Sequence, residues 1–241
     1  MPPCTEQPTW GFFSRSLVII GTALLGTVAV GVIAAASMRS DTQACLDDAK
    51  KVLQQIAPDQ PNGIPEEVTK AAVCIAVVPR LLKGRFGSTA PHGRGVVTCR
   101  TVEGWSAPAF FTLSDGFWLS RVLIKDTSLI VIIVSQEVRK MLSTKKIEIG
   151  TDVSAISGPM GRNVSPQNYN RLNREMLTYS ISKGHLAPVS LDGAMIREDR
   201  RSIVAIYGRA AVMQAVLNGR FPVPPAARSF LASINGIVQR M

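Results

Sequence analysis

The sequence contains few of the side chains from which enzyme active sites and metal centres are usually built. Only two of its 241 residues are histidines, His92 and His185. Neither belongs to a paired-histidine zinc motif, and the chain has no Cys-x-x-Cys pair and no glycine-rich phosphate loop. We therefore expect no enzymatic activity, no metal and no cofactor.

One serine lies in a string that resembles a hydrolase nucleophile. The segment Gly104-Trp-Ser106-Ala-Pro108 is similar to Gly-x-Ser-x-Gly, but proline replaces the last glycine. Its composition is that of a strand and not of a strand-to-helix turn. We interpret Ser106 as a structural hydroxyl.

Acidic residues are scarce compared with basic ones. Lysine and arginine number 27 against 17 acids, which gives a formal net charge of +10. Residues 80–94 and residues 200–241 contain no acid at all. Such a charge predicts a negatively charged partner, either the head groups of anionic phospholipids or nucleic acid, although a merely well-solvated surface has the same composition.

Aromatic residues are also few, at 6% of the chain. Proteins that bind single-stranded nucleic acid stack the bases on aromatic side chains beside basic ones, and few aromatic residues of this chain lie beside basic ones. Together with the export predicted below, this argues against nucleic acid and in favour of lipid.

Charged side chains are absent from residues 16–38, and residues 17–33 are strongly apolar. About 20 such residues span a bilayer as a helix, so the segment predicts a transmembrane anchor. The small residues at positions 34–37 also fit a signal-peptide cleavage site, but the length of the unbroken apolar run favours a retained anchor. We therefore expect either a single-pass inner-membrane protein with an exported, periplasmic domain or a protein secreted to the periplasm.

Short strand patterns separated by glycine-bearing turns occupy most of the remaining chain. They predict an α+β fold, in which a mainly antiparallel sheet curls into a sandwich or barrel and is flanked by helices, with one amino-terminal transmembrane or signal helix. The predicted strands cover residues 73–79, 93–113 with a reversal at Glu103-Gly104, 116–124, 128–134, 145–149, 153–156, 176–182 and 188–194, and the main predicted helices cover residues 45–57, 135–142, 209–217 and 225–238.

The last predicted helix carries an apolar face that includes Phe230, Leu231 and Ile234. This face could insert into a membrane interface, with Arg228 and Arg240 at the head groups. We favour packing against the domain, because an apolar face of this kind usually contributes to a protein core.

Several strings then occur in the order typical of one family, and with them the chain resembles the SYLF domain family over roughly residues 42–208. The strings are Gly63-Ile-Pro65, residues 74–79, Gly93-Arg-Gly95, residues 104–109, Leu142-Ser143, residues 150–154, residues 158–162, Tyr179-Ser-x-Ser-Lys-Gly184, residues 189–194 and Tyr207-Gly208. The resemblance implies a lipid-binding domain. Some fungal members also bind actin, but a predicted export signal argues against actin as a partner here.

The chain differs from the family pattern in two places. After Lys83 a longer glycine-rich run is usual, and after Gly116 glycines are usual where this chain has Trp118 and Arg121. The segment before Gly63 is similar to that of bacterial exported members in particular. On this basis we predict an anchor or signal over residues 1–39, a SYLF-like domain over residues 40–208 and a helical extension over residues 209–241.

The basic clusters supply the candidate site residues. We predict that anionic head groups are bound by Lys83, Arg85, Arg94, Arg121, Lys145, Lys146 and Lys183. The alternative is an envelope protein that binds another protein, in which the positive charge is incidental.

Two of the four cysteines, Cys74 and Cys99, lie on candidate strands joined by one loop. An oxidising compartment would allow them to form a disulfide, a pairing that also resembles the bacterial exported members. Buried free thiols are the alternative.

Overall fold

The computed structural model describes residues 26–56, 63–81, 92–114, 127–142, 146–160 and 176–239. The helices are α1 (Gly26–Gln54), α2 (Glu66–Ala71), α3 (Gln136–Met141), α4 (Arg200–Tyr207), α5 (Met213–Leu217) and α6 (Arg228–Gln239), and a 3-10 turn (Pro225–Ala227) precedes α6. The strands are β1 (Cys74–Val78), β2 (Gly93–Thr101), β3 (Gly104–Trp105), β4 (Ala109–Ser114), β5 (Thr127–Ile133), β6 (Lys146–Glu148), β7 (Ala155–Ser157), β8 (Met176–Ser182), β9 (His185–Pro188) and β10 (Met195–Glu198).

These strands form one mixed sheet in the order β6-β10-β4-β2-β1-β5-β8-β7, with β3 paired to β2 and β9 paired to β8. Every named pair is antiparallel except β7 with β8. The sheet curls into a half-barrel with helices alongside it. The predicted α+β class and mainly antiparallel sheet are confirmed.

The central strands are buried on both faces, which explains their sequences. All five residues of β1 and all seven of β5 are buried, so both strands read as continuous apolar runs and do not alternate. Helix α1 packs against α6 and α4 and also contacts β1 and β2. One core therefore contains residues from the sheet, from α1 and from the carboxy-terminal helices.

The final helix belongs to this core. Phe230 and Ile234 are fully buried and Leu231 is 8% exposed. Packing of the apolar face is therefore confirmed, and its insertion into a membrane interface is wrong. Helices on both sides of residue 208, α4 and α6, pack on α1, and the domain boundary predicted at that position stays a prediction.

The β2–β3 hairpin reverses one residue earlier than predicted. Arg100 pairs with Trp105 and Thr101 with Gly104, which leaves Val102 and Glu103 in the turn. Gly104 has a φ of +122°, so the positive φ expected at this glycine is present, but the residue lies at the start of β3.

Ser106 has the structural role expected of it. Its Oγ accepts the Cys99 N–H at 3.1 Å and donates to the carbonyl of Ala107 at 3.0 Å. The side chain is buried between β3 and β4, which both pair with β2. Its hydroxyl supplies hydrogen bonds there that the interrupted strand pairing lacks.

Two predicted elements were placed wrongly. No strand covers residues 189–194, because Asp192 and Gly193 form a turn in which Gly193 has a φ of +80°. The helix predicted from residue 209 begins at Met213, and α4 was not predicted. Gly208, with a φ of +88°, ends α4 and separates the two helices.

The helix predicted over residues 45–57 is the last third of the longer α1, which ends at Gln54. Residues 1–25, with most of the predicted anchor or signal, and residues 115–126, with the strand predicted at 116–124, lie outside the described residues. Among the helices in the described ranges, none combines the length and the apolar character needed to span a bilayer.

Candidate anion-binding groove

Several chain segments meet at one end of the sheet and enclose a groove of about 360 Å³. The lining residues come from the last turns of α1, from the ends of β1 and β8, from the start of β5 and from the β8–β9 turn. They are Asp48, Lys51, Val52, Gln55, Pro79, Arg80, Ser128, Ile181, Lys183 and Gly184.

Strand register brings these segments together. Val78 at the end of β1 pairs with Leu129 near the start of β5, and Thr127 pairs with Ser182 at the end of β8. Because neighbouring antiparallel strands run in opposite directions, these three termini meet at one edge of the sheet.

Hydrogen bonds fix the backbone on both sides of Arg80. The Ser128 hydroxyl donates to the carbonyl of Pro79 at 2.6 Å, and the N–H of Leu81 donates to the carbonyl of Thr127 at 2.9 Å. The Arg80 backbone is therefore held at the rim of the groove, where its side chain is exposed.

The groove is electropositive. Three cationic side chains, Lys51, Arg80 and Lys183, surround it together with one carboxylate, Asp48. The Nζ of Lys51 lies 2.8 Å from Oδ1 of Asp48, and this hydrogen bond raises the pKa of Lys51 above its ordinary value. Lys51 therefore carries its charge throughout the physiological pH range.

Lys183 has a backbone conformation that lysine rarely adopts. Its φ is +50°, and Gly184 beside it has a φ of +79°. Ser182 pairs with His185, so the two residues form a two-residue hairpin turn of the type that normally selects Asn-Gly or Asp-Gly. A lysine in this conformation costs roughly 1 kcal/mol, and such strain is characteristic of functional positions.

Arg94 does not belong on the lipid-binding surface, and its predicted role has to be corrected. The residue is 6% exposed, and its Nε lies 3.0 Å from Oδ2 of Asp199. Its Nη2 also donates to the hydroxyl of Ser202. Arg94 is on β2 where α4 packs, so its charge is neutralised inside the protein and is not presented to a head group.

Lys146 lies on β6, at the opposite side of the sheet from Lys183. Six strand spacings separate β6 from β8, which is roughly 29 Å along the sheet at about 4.8 Å per strand. The Lys146 Nζ is 3.7 Å from Oε2 of Glu148. Lys146 and Lys183 therefore lie far apart along the sheet.

Four further candidates lie outside the described residues. They are Lys83, Arg85, Arg121 and Lys145. The described residues that flank Lys83 and Arg85 in the sequence are Leu81 and His92. Both lie at the end of the sheet that carries the groove, because the Leu81 N–H binds the first residue of β5 and His92 immediately precedes β2.

Sequence reasoning did not identify Lys51 as a site residue and did not select Arg80 from its cluster. Lys51 lies on the polar side of a helix far from Lys183 in sequence. No local pattern indicates that the two are neighbours, because only the packing of α1 beside the sheet brings them together.

A much smaller void lies within the described part of the sheet. Apolar side chains, including Ala76, Val97, Phe111 and Val131, enclose about 10 Å³ there. A single water needs at least about that volume, so this void cannot hold an acyl chain. Nor do three or more His, Cys, Asp or Glu side chains gather as a metal site in the part of the chain that the structure describes.

Cys74 and Cys99 face each other across β1 and β2. Their sulfur atoms are 2.02 Å apart and both residues are fully buried. The fold therefore brings the two cysteines of the predicted disulfide together, while their oxidation state in the cell stays a prediction.

Comparison with known proteins places this fold among its relatives. A model of the family described as "Ysc84: Las17-binding protein actin regulator" matches residues 124–237. The chain is 32% identical over 204 residues to Protein YSC84 of Saccharomyces cerevisiae, covering 81% of this chain and 42% of that protein.

Two further relatives show the same partial coverage. LAS seventeen-binding protein 3 of the same yeast is 31% identical over 198 residues, 79% of this chain and 42% of that protein. SH3 domain-containing YSC84-like protein 1 of Homo sapiens is 26% identical over 182 residues, 73% and 52% of the respective chains. The chain spans about half the length of the curated relatives it matches. It contains a domain of the Ysc84/SYLF family.

Proposed function

We propose that this domain is a non-enzymatic module that binds the head groups of anionic phospholipids in the groove formed by α1, β1, β5 and the β8–β9 turn. The observation that carries the proposal is Lys183, a lysine held at positive φ beside two other cations, Lys51 and Arg80. A strained turn that presents a charge to a basic groove suits recognition of a phosphate group.

The charge of the groove is sufficient for useful selectivity. Each cation near an anionic membrane surface contributes about 1 kcal/mol. Asp48, which pairs with Lys51 at 2.8 Å, offsets one of the three cations, so the groove contributes about 2 kcal/mol, a preference of roughly 30-fold over a neutral surface. Arg80 adds the capacity for paired hydrogen bonds to phosphate oxygens. We propose that Lys83, Arg85, Arg121 and Lys145 also take part in head-group binding, while Lys146, which lies on β6, contributes less.

Head-group binding at a surface groove is favoured over extraction of a whole lipid. The groove is open to solvent and polar, and the interior void of about 10 Å³ has no room for a chain. The ligand chemistry is therefore a phosphate-bearing head group that remains in its bilayer.

The place of action follows from the amino terminus. We propose that the domain is exported, either tethered by the apolar segment at residues 16–38 or released after its cleavage, and that it meets the membrane surface on the exported side. The absence of an enzyme signature agrees with the names of its relatives, which describe an actin regulator, Las17-binding proteins and SH3 domain-containing proteins and no enzyme.

A protein-binding role is the second candidate, because the matching family is described as an actin regulator. This description opposes our expectation that actin is not a partner. The relatives are about twice as long as the matched region, so the activity of the whole proteins is not transferred here.

Vesicle flotation of the full chain tests the proposal. The groove variant Lys51→Gln/Lys183→Asn removes two cations, and the control Arg201→Gln/Arg228→Gln removes two exposed arginines outside the groove. We expect binding to vesicles containing phosphatidylserine to weaken about 30-fold in the groove variant and to change little in the control.

The amino-terminal segment is present in all these proteins and, once inserted, would hold each of them on any vesicle. Binding is therefore taken as the difference between phosphatidylserine-containing and neutral vesicles, measured at lipid concentrations that saturate neither. Equal binding by the wild type and the groove variant would contradict the proposal. Cosedimentation with actin filaments, measured on the same three proteins, would support the second candidate if filaments and not vesicles retain the protein.

A further inference from the structure

A second cleft, of about 310 Å³, lies between α3 and α5. Its lining is polar and basic above one buried leucine. The lining residues are Gln136, Arg139, Lys140, Gln214, Leu217 and Asn218.

This cleft is at the opposite end of the sheet from the basic groove. Helix α3 follows the end of β5, whereas the groove contains the start of β5. The seven residues of β5 extend roughly 24 Å at about 3.4 Å per residue. One flat membrane in contact with the groove therefore leaves the cleft free.

Three exposed apolar side chains lie on the elements that form the cleft or next to them in sequence. In the described residues, the large hydrophobic side chains that are clearly exposed are Val102, fully exposed, Met141 at 36% and Val212 at 41%. Met141 ends α3 and Val212 precedes α5. Val102 lies at the tip of the β2–β3 hairpin. This hairpin lies beside the loop after α5, because a Cβ built on Gly219 would be 3.4 Å from Cγ2 of Thr101.

The side chain of Arg139 is weakly engaged by its own chain. Arg139 donates through Nη2 to the carbonyl of Leu217 at 3.4 Å and to Oδ1 of Asn218 at 3.5 Å, distances at which hydrogen bonds are weak. Arg220 is exposed two residues further along the chain. The acid of α3, Glu137, accepts a hydrogen bond from the Ser135 hydroxyl at 2.7 Å at the start of the helix.

Exposed apolar residues, methionine and arginine around a concave site are typical of protein interfaces. The carboxamides of Gln136, Gln214 and Asn218 can donate to and accept from the peptide groups of an extended segment. Arg139 can pair with a carboxylate through two hydrogen bonds. A cleft of this composition suits a peptide better than a bilayer, into which a protein inserts a protruding apolar surface.

We propose that the cleft between α3 and α5 binds an acidic, partly apolar segment of a partner protein. The partner's carboxylates contact Arg139, Lys140 and Arg220, and its apolar side chains contact Val102, Met141 and Val212. This function is additional to head-group binding and does not depend on it. A domain with both sites connects a membrane at one end to a protein at the other.

Selection from a displayed library of random 12-residue peptides tests the inference on the full chain in neutral detergent. The peptides that bind the wild type are compared on three variants. Arg139→Glu/Arg220→Glu reverses the charge at the cleft, and Val102→Ser/Val212→Ser removes exposed apolar groups without changing charge or core. Lys51→Glu/Lys183→Glu makes the same charge change at the basic groove and is the matched control.

We expect the selected peptides to be acidic and to contain apolar residues. Their affinity should fall at least about tenfold for the two cleft variants and stay within about threefold for the groove variant. Vesicle binding should show the reverse pattern, which separates a failure of this inference from a failure of the proposed function. The inference is overturned if no acidic peptide is selected, if all variants bind the peptides equally, or if the cleft variants lose vesicle binding and keep the peptides.

Discussion

Replacing Arg94 should destabilise the domain without removing its lipid site. Arg94 and Asp199 form an ion pair whose side chains are 7% and 5% exposed. The Asp199 carboxylate also accepts the backbone N–H of Ser202 at 3.2 Å, which caps the first turn of α4. Arg94→Met therefore leaves a buried carboxylate without its counter-charge.

The expected loss can be estimated from this burial. Removing one partner of a buried ion pair costs about 3–5 kcal/mol, because the other charge remains desolvated. For a domain of this size each kcal/mol lowers the Tm by about 2–4 °C, so the Tm should fall by roughly 6–20 °C. The double variant Arg94→Met/Asp199→Asn has neither charge, and asparagine can still cap the helix. We therefore expect it to be about 1–3 kcal/mol more stable than the sum of the two single substitutions predicts.

Urea unfolding followed by circular dichroism measures both quantities, and vesicle flotation below the Tm measures binding. We expect Arg94→Met to bind anionic vesicles within about threefold of the wild type when folded, because Arg94 does not reach the surface. A variant that is as stable as the wild type but has lost vesicle binding would refute the buried ion pair and restore Arg94 to the binding surface.

Three further predictions concern the Cys74–Cys99 pair, the packing of Gly158 against Tyr179 and the turn at Lys183. The Cys74–Cys99 bond closes a separation of 25 residues, so replacing both cysteines by alanine should cost about 3 kcal/mol; mass spectrometry of the unreduced, exported protein that finds both thiols free would contradict this bond. Gly158→Ala would place a Cβ 2.0 Å from Cζ of the buried Tyr179 and should lower the free energy of unfolding by roughly 1–3 kcal/mol. Tyr179→Phe, which loses one hydrogen bond, should lower it by only about 1 kcal/mol. Equal unfolding midpoints for wild type and Gly158→Ala would show that the ring has room to move. Lys183→Asn should raise the free energy of unfolding by roughly 1 kcal/mol, since asparagine tolerates positive φ. The same substitution should weaken vesicle binding about fivefold. If both stability and vesicle binding fall, the turn is not strained.

Sequence patterns predicted much of the fold because strand burial, helix capping and buried helix faces each leave a signal within a few neighbouring residues. The apolar residues of β1 form an uninterrupted run, since that strand is buried on both faces. Ser135 marks the start of α3, where its side chain accepts the backbone N–H groups of Glu137 and Val138. The final helix showed its buried face through the spacing of Phe230 and Ile234.

The site was harder to predict because burial of a basic residue depends on distant partners. Arg94 and Lys183 both belong to glycine-containing basic strings, yet one is neutralised by Asp199, 105 residues away, and the other is exposed. Lys51 and Arg80 join Lys183 only after α1 and three strand ends have come together. Charge composition thus predicted a basic surface but could not select the residues that form it.

The salt dependence of vesicle binding tests the central claim most directly. The full chain and the Lys51→Gln/Lys183→Asn variant are titrated with phosphatidylserine-containing vesicles from low to moderate ionic strength. If the groove binds head groups, the wild type binds tightly at low salt and loses affinity as salt rises, while the variant starts about 30-fold weaker and depends less on salt. Identical curves for the two proteins would contradict the assignment of lipid binding to this groove.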